Sequence, residues 1–188
     1  MNIEKLFDIL LKEKPSLYIK QNEKELFQLI PELKKSKGFN QNNIWHIYDV
    51  YEHILHVVDN ISNNIILRLT ALFHDVGKPY VYTEDENKVG HFYGHWDKSN
   101  EIFKSFSKRN NLDKKISAIV SKLIIYHDIR INKLSENELF DLANEFGKDG
   151  IKMLFEIKRS DLLSQNPKFH NLLDEYNKEE EKLLKLIR

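Results

Sequence analysis

The chain has 188 residues, and its 29 Lys and Arg are matched by 29 Asp and Glu, a formal charge of zero. That length favours one domain, and the lack of a basic excess argues against general nucleic-acid binding as its main task. Cysteine is absent, which excludes disulfides, thiolate metal sites and cysteine nucleophiles. Hydrophobic residues make up 41%, enough for an ordinary core, and only six Gly and four Pro point to helices over strands and turns. No apolar run reaches the ~20 residues of a membrane span, and the first residues lack a signal-peptide pattern. The expectation is a cytoplasmic, single-domain, all-α protein.

Taken in chain order, Asn2 to Lys14 reads as a helix with Ile3, Leu6, Phe7, Leu10 and Leu11 on one face, ended by Pro15. Asn22 with Glu25 predicts a capping box opening a second helix, which Pro31 divides. After an Asn-rich loop, His46 to Asn60 has helical spacing. Its core stripe is Ile47, Val50, Ile54, Val57, Val58 and Ile61, bordered by a polar stripe of His46, Asp49, His53 and His56. A further helix runs from Ser62 to Asp75 and is stopped by Gly77 and Pro79. The segment near 80–92 reads as a short β-hairpin. Helices follow at His95–Asn110, Asp113–His127, Ser135–Phe146 (with a Ser135–Glu138 capping box), Asp149–Gln165 and Phe169–Ile187. The charged run Asp174–Lys182 reads as a solvated helix face.

Six residues stand out chemically: His53, His74, Asp75, His95, His127 and Asp161. Without thiolates, imidazole and carboxylate are the groups that borderline divalent metals take. Their wide separation means that any site must assemble from several helices. Asp161 sits among Leu154, Ile157 and Leu162, and a carboxylate near a core needs a cation or several donors. Arg159, two residues away, points elsewhere on a helix and is a poor partner.

His53, the segment Ala71-Leu72-Phe73-His74-Asp75-Val76-Gly77-Lys78, and Asp161 resemble the H…HD…D signature of the HD-domain metal-dependent phosphohydrolases. The similarity is closer to the HD region of bacterial CCA-adding tRNA nucleotidyltransferases. It is carried by Ile30 to Leu33, Gln41 to His53, Gly77-Lys78-Pro79, Phe92 to His95 and Arg159 to Pro167. The Gly-Ser pair and Asp-x-Asp motif of a nucleotidyltransferase head do not occur, so nucleotide addition is not expected.

The resemblance implies an HD-domain helical bundle over 1–188, with a core at 46–167 and the helices of 1–40 and 169–187 packed on it. It implies that His53, His74, Asp75 and Asp161 bind one divalent transition ion (Mn, Fe, Co, Ni or Zn). His95 and His127 match the extra histidines of two-metal HD proteins, in which the HD aspartate bridges both ions. Asp75 is then the central catalytic group, and Lys78 and Arg130 are each either a phosphate contact or a plain solvated cation. His46, seven residues before His53, is placed to support a ligand or to donate a proton to the leaving oxygen. Asp128 is either a plain surface acid or a group that orients a ligand histidine. The implied activity is hydrolysis of a small phosphate ester, such as a nucleotide or 2′,3′-cyclic nucleotide. A di-iron HD-type oxygenase and a metal-stabilised RNA- or partner-binding module are the alternatives.

Overall fold

The computed structural model of the chain describes residues 1–187. Among them lie ten α-helices and one two-stranded hairpin, the all-α bundle expected. No described helix is long and apolar enough to cross a membrane.

The N-terminal helices are α1 (Ile3–Leu10), α2 (Pro15–Gln21) and α3 (Glu23–Leu29), followed by a 3-10 turn at Pro31–Ser36. Pro15 does not end the first helix but opens the second, because at a first helical position its missing N–H is no loss. Nor does Asn22 cap through its side chain, whose amide donates to the Tyr18 carbonyl at 2.8 Å. Glu25 pairs with Lys5 and the N-terminal ammonium instead of closing a capping box.

The next helix, α4 (Val50–Asn60), begins four residues later than the periodicity predicts. Asp49 takes the extended N-cap conformation, and its carboxylate accepts the Glu52 N–H at 2.8 Å. A side-chain cap satisfies an otherwise orphan helix N–H, and this one fixes the start. His46 and Ile47 therefore lie in the preceding turn, and Ile47 is 54% exposed instead of belonging to the core stripe.

Asn64 caps α5 (Ile65–Phe73), in which every side chain from Leu67 to Phe73 is buried. A helix buried on all sides belongs at the centre of a domain, and α5 touches α1, α4, α7, α8 and α9. Its buried Arg68 donates to the carbonyls of Leu10 at 3.0 Å and Ile61 at 3.1 Å, tying the ends of α1 and α4 to it. Gly77 and Pro79 do not stop the chain's helical path outright, since the short α6 (Lys78–Val81) follows at once. The hairpin of β1 (Thr83–Glu84) and β2 (Gly90–His91) pairs Thr83 with His91 and Glu84 with Gly90, inside the predicted segment.

Then come α7 (His95–Arg109), α8 (Lys114–Tyr126), α9 (Glu136–Leu163) and α10 (Leu173–Leu186). The Ser135–Glu138 capping box is present. The two helices predicted at 135–165 meet end to end in α9, bent at Gly147, whose φ of 63° is open to glycine without strain. At the C-terminal end, a 3-10 turn at Pro167–Leu172 delays α10 to Leu173. The main core runs through Leu6, Leu10, Ile54, Val58, Leu69, Phe73, Phe103 and Phe106. A smaller cluster of Ile131, Leu139, Leu142, Phe155 and Leu183 joins α9 to α10.

Gly77 lets the turn after α5 approach the start of α7. A Cβ there would lie 2.5 Å from the His95 carbonyl oxygen and 2.6 Å from the Ser99 nitrogen, both backbone atoms. Gly77→Ala should therefore destabilise by about 1–3 kcal/mol, the usual cost of overpacking, read as a lower urea midpoint. A wild-type midpoint would show that the turn and α7 separate freely.

Candidate metal centre

Five helices deliver the six side chains. His53 is mid-α4, His74 and Asp75 follow α5, His95 opens α7, His127 follows α8 and Asp161 lies in the last turn of α9. Three of the histidines are oriented by local backbone. The Nδ1 of His74, His95 and His127 each donates to the carbonyl three residues earlier: Ala71 at 2.8 Å, Phe92 at 2.9 Å and Ile124 at 2.7 Å. His53 Nδ1 donates to the Ser164 carbonyl of α9's C-cap at 3.2 Å. A carbonyl can only accept, so each ring carries Nδ1–H and, when neutral, turns the Nε2 lone pair inward. Such outer bonds are what fix ring orientation in metal-ligating histidines.

All four Nε2 atoms converge on the buried Asp75. His53 and His74 are each 3.3 Å from its Oδ2, while His95 and His127 are 3.3 Å and 3.7 Å from its Oδ1. Asp161 Oδ1 faces His53 Nε2 at 3.0 Å and His74 Nε2 at 3.9 Å. The nitrogens also face each other, His53 with His74 at 3.3 Å and His95 with His127 at 3.2 Å. Asp75 Oδ1 is buried without a hydrogen bond. So many lone pairs and carboxylate oxygens in one dry space are compatible only with positive charge among them. Protons or metal ions can supply it, and the ligand set of nitrogen and oxygen fits a borderline divalent metal. Two groupings could each hold an ion: His53, His74 and Asp75, and Asp75, His95 and His127.

The electrostatics have the same sign throughout. Burial opposes ionisation of Asp75, yet His74 and Lys78 beside it hold its pKa well below the ordinary carboxylate value. Asp161 is likewise lowered, its burial outweighed by the hydrogen bond and charge of His53. Burial works against charge on His53, but hydrogen bonds to Asp161 and Asp75 prevail and raise its pKa to about 9. In the metal-free protein this imidazolium contributes stability that is complete below its unfolded pKa of about 6.5. The contribution disappears as pH rises through about 9. Melting temperature in chelator should thus decline across that window, and His53→Gln should flatten the decline. Equal slopes in the two proteins would remove His53 as the cause.

Lys78 is buried, with its three N–H donors facing three acceptors: Asp75 Oδ2 at 2.7 Å, Gln41 Oε1 at 2.9 Å and His46 Nε2 at 3.3 Å. His46 reaches the cluster from the loop before α4, its ring 5.0 Å from that of His53. Burial, then the charges of Lys78 and His53, push its pKa down to about 2. Arg130 and Asp128 are exposed. The side chain of Arg130 has no hydrogen-bond or ion-pair partner among the described residues, and Asp128 does not orient His127, whose Nδ1 is taken by Ile124. Arg159 pairs with Glu180 at 2.6 Å, so it is no partner of Asp161.

Sequence reasoning assigned no role to Gln41, Ser164 or Lys158. Ser164 acts through a backbone carbonyl, which leaves no trace in sequence, and Gln41 through a contact with Lys78 across 37 residues. Lys158 did carry a signal, a lysine among Leu154, Phe155 and Ile157.

An HD-domain family model matches residues 44–187, from the loop bearing His46 through α10. The chain belongs to the HD-domain family. HD domains form a superfamily of metal-dependent phosphohydrolases that bind divalent metals. This HD domain is also 32% identical over 72 residues to the A-adding tRNA nucleotidyltransferase of Deinococcus radiodurans. That stretch covers 35% of the chain and 16% of the relative, so the chain spans only a small part of the longer protein.

Proposed function

We propose that this HD domain hydrolyses a small phosphate ester in a divalent-metal-dependent reaction, with nucleotides and 2′,3′-cyclic nucleotides as its first substrates to test. The observation that carries the reading is the convergence of four imidazole Nε2 atoms on the buried carboxylate of Asp75. On this reading His53, His74, Asp75 and Asp161 hold one ion, and Asp75, His95 and His127 hold a second. When bound, divalent ions supply hydroxide near neutral pH and Lewis acidity toward a phosphoryl oxygen.

The chain's own groups do the remaining work. Asp75 offers one oxygen to each half of the centre. Lys78 keeps Asp75 ionised and directs its Oδ2, since all three of its donors are engaged inside the site. His46, held neutral by burial and the charge of Lys78, accepts from Lys78 and so positions the ammonium. Arg130, exposed three residues beyond His127, is a cation available to an arriving phosphate. The tRNA nucleotidyltransferase relative supports starting with nucleotide substrates. One domain over the whole chain is part of the proposal, supported by α1 packing on α5 and α10 on α9.

The test is elemental analysis of the purified protein, then a panel of nucleoside monophosphates and 2′,3′-cyclic nucleotides with the metal found. Metal-dependent release of phosphate or opening of the cyclic ester is expected. A fully loaded protein that turns over no phosphate ester would end the reading.

A further inference from the structure

Behind His127 lies a buried cation that the reaction does not use. Lys158, on α9, is 5% exposed. Its ammonium donates to the Ile129 carbonyl at 2.7 Å and the His127 carbonyl at 3.4 Å, and lies 4.9 Å from the centre of the Tyr176 ring of α10. Its neighbours on α9, Leu154, Phe155 and Ile157, are fully buried. A leucine would pack there at lower cost, because burying an ammonium carries a desolvation penalty unless its donors are used. The donors are used on the chain just beyond α8, where a helix end leaves carbonyls without internal partners.

That junction is the mount of His127. The His127 ring is oriented by Ile124, the last full turn of α8, and Ile129 N–H closes a turn back onto Tyr126 at 3.0 Å. Two residues on, Ile131 enters the smaller core cluster with Leu139, Phe155 and Leu183. Lys158 thus bolts the segment carrying His127 to α9 and, through Tyr176, to α10.

We propose that Lys158 is a positioning residue for the His95–His127 half of the centre, setting the affinity of that half for a divalent ion without touching the ion. The inference rests on the reading that the cluster binds two ions. Loss of a group that supports a ligand typically weakens metal binding by about 10–100-fold. The loss here should be confined to one ion, because the other half has its own supports.

The experiment is titration of metal-free protein with Mn²⁺ alone, comparing wild type, Lys158→Met and Arg68→Met. Methionine keeps the unbranched shape and most of the length of lysine but donates nothing. Arg68 is a second buried cation that binds carbonyls, those of Leu10 and Ile61 and none in the segment carrying His127, and so controls for a stability defect without a positioning role there. In Lys158→Met the weaker of two Mn²⁺ affinities should fall by about 10–100-fold, with the tighter one unchanged; Arg68→Met should keep both. Equal affinities in Lys158→Met and wild type, or a matching loss in Arg68→Met, would overturn the inference and leave the two-ion reading standing. A wild type that takes up one ion or none overturns both. Should Lys158→Met not fold, hydrogen exchange on wild type decides: the Ile129 amide should gain protection with the second Mn²⁺ equivalent, and no gain overturns the proposal.

Discussion

Asp75→Asn should reduce phosphoester hydrolysis by more than about 100-fold while the helical circular dichroism persists. Removing a group that merely supports a ligand costs about 10–100-fold in metal affinity or activity, and Asp75 is itself the point on which both halves converge. Asparagine retains the shape and one oxygen acceptor, but not the charge that would hold two cations close together. Folding should survive because Lys78, deprived of its carboxylate, keeps Gln41 and His46 as acceptors. The variant should be assayed with the best substrate at saturating metal, alongside a urea unfolding curve. A folded Asp75→Asn protein with wild-type turnover would remove the carboxylate from the chemistry.

Chelation should lower the melting temperature by roughly 5–11 °C per ion released. Free metal at ~100 times its dissociation constant stabilises by about 2.7 kcal/mol. In a chain of this size each kcal/mol moves the midpoint by about 2–4 °C. The physical source is visible in the centre, where nitrogens 3.2 Å and 3.3 Å apart and two carboxylates face one another. An ion there would join α4, α5, α7, α8 and α9, segments that unfolded chains do not hold together. Re-addition of metal should restore the midpoint, measured by thermal unfolding after the metal content is verified. An unchanged curve after verified removal would show that packing alone carries the fold.

Much of this could be read along the chain because it is local. Helical periodicity in α5, α7 and α8, the Ser135–Glu138 capping box and the hairpin near 80–92 depend on residues a few positions apart. So does the orientation of three of the histidines, whose Nδ1 bonds reach back three residues to a carbonyl. The histidines and aspartates were recognisable by type and by the His-Asp pair before Gly-Lys, although nothing in their spacing required them to meet. Where local signals competed, the sequence misled. Asp49 outbid the apolar pattern and started α4 late, and Pro15 and Asn22 took roles other than the ones their positions predicted. What the amino-acid sequence by itself determined is the helical class, the ligand types and the family. The tertiary structure alone decided that Asp75 divides its two oxygens between two histidine pairs. It also decided that Lys78 spends its donors inside the site on Gln41 and His46, and that the Lys158 ammonium lies on the carbonyls of His127 and Ile129. The Lys78 and Lys158 contacts join residues 29 to 37 positions apart, and those of Asp75 with His95, His53 and His127 span 20 to 52, formed only when burial brings charges together that must then find partners.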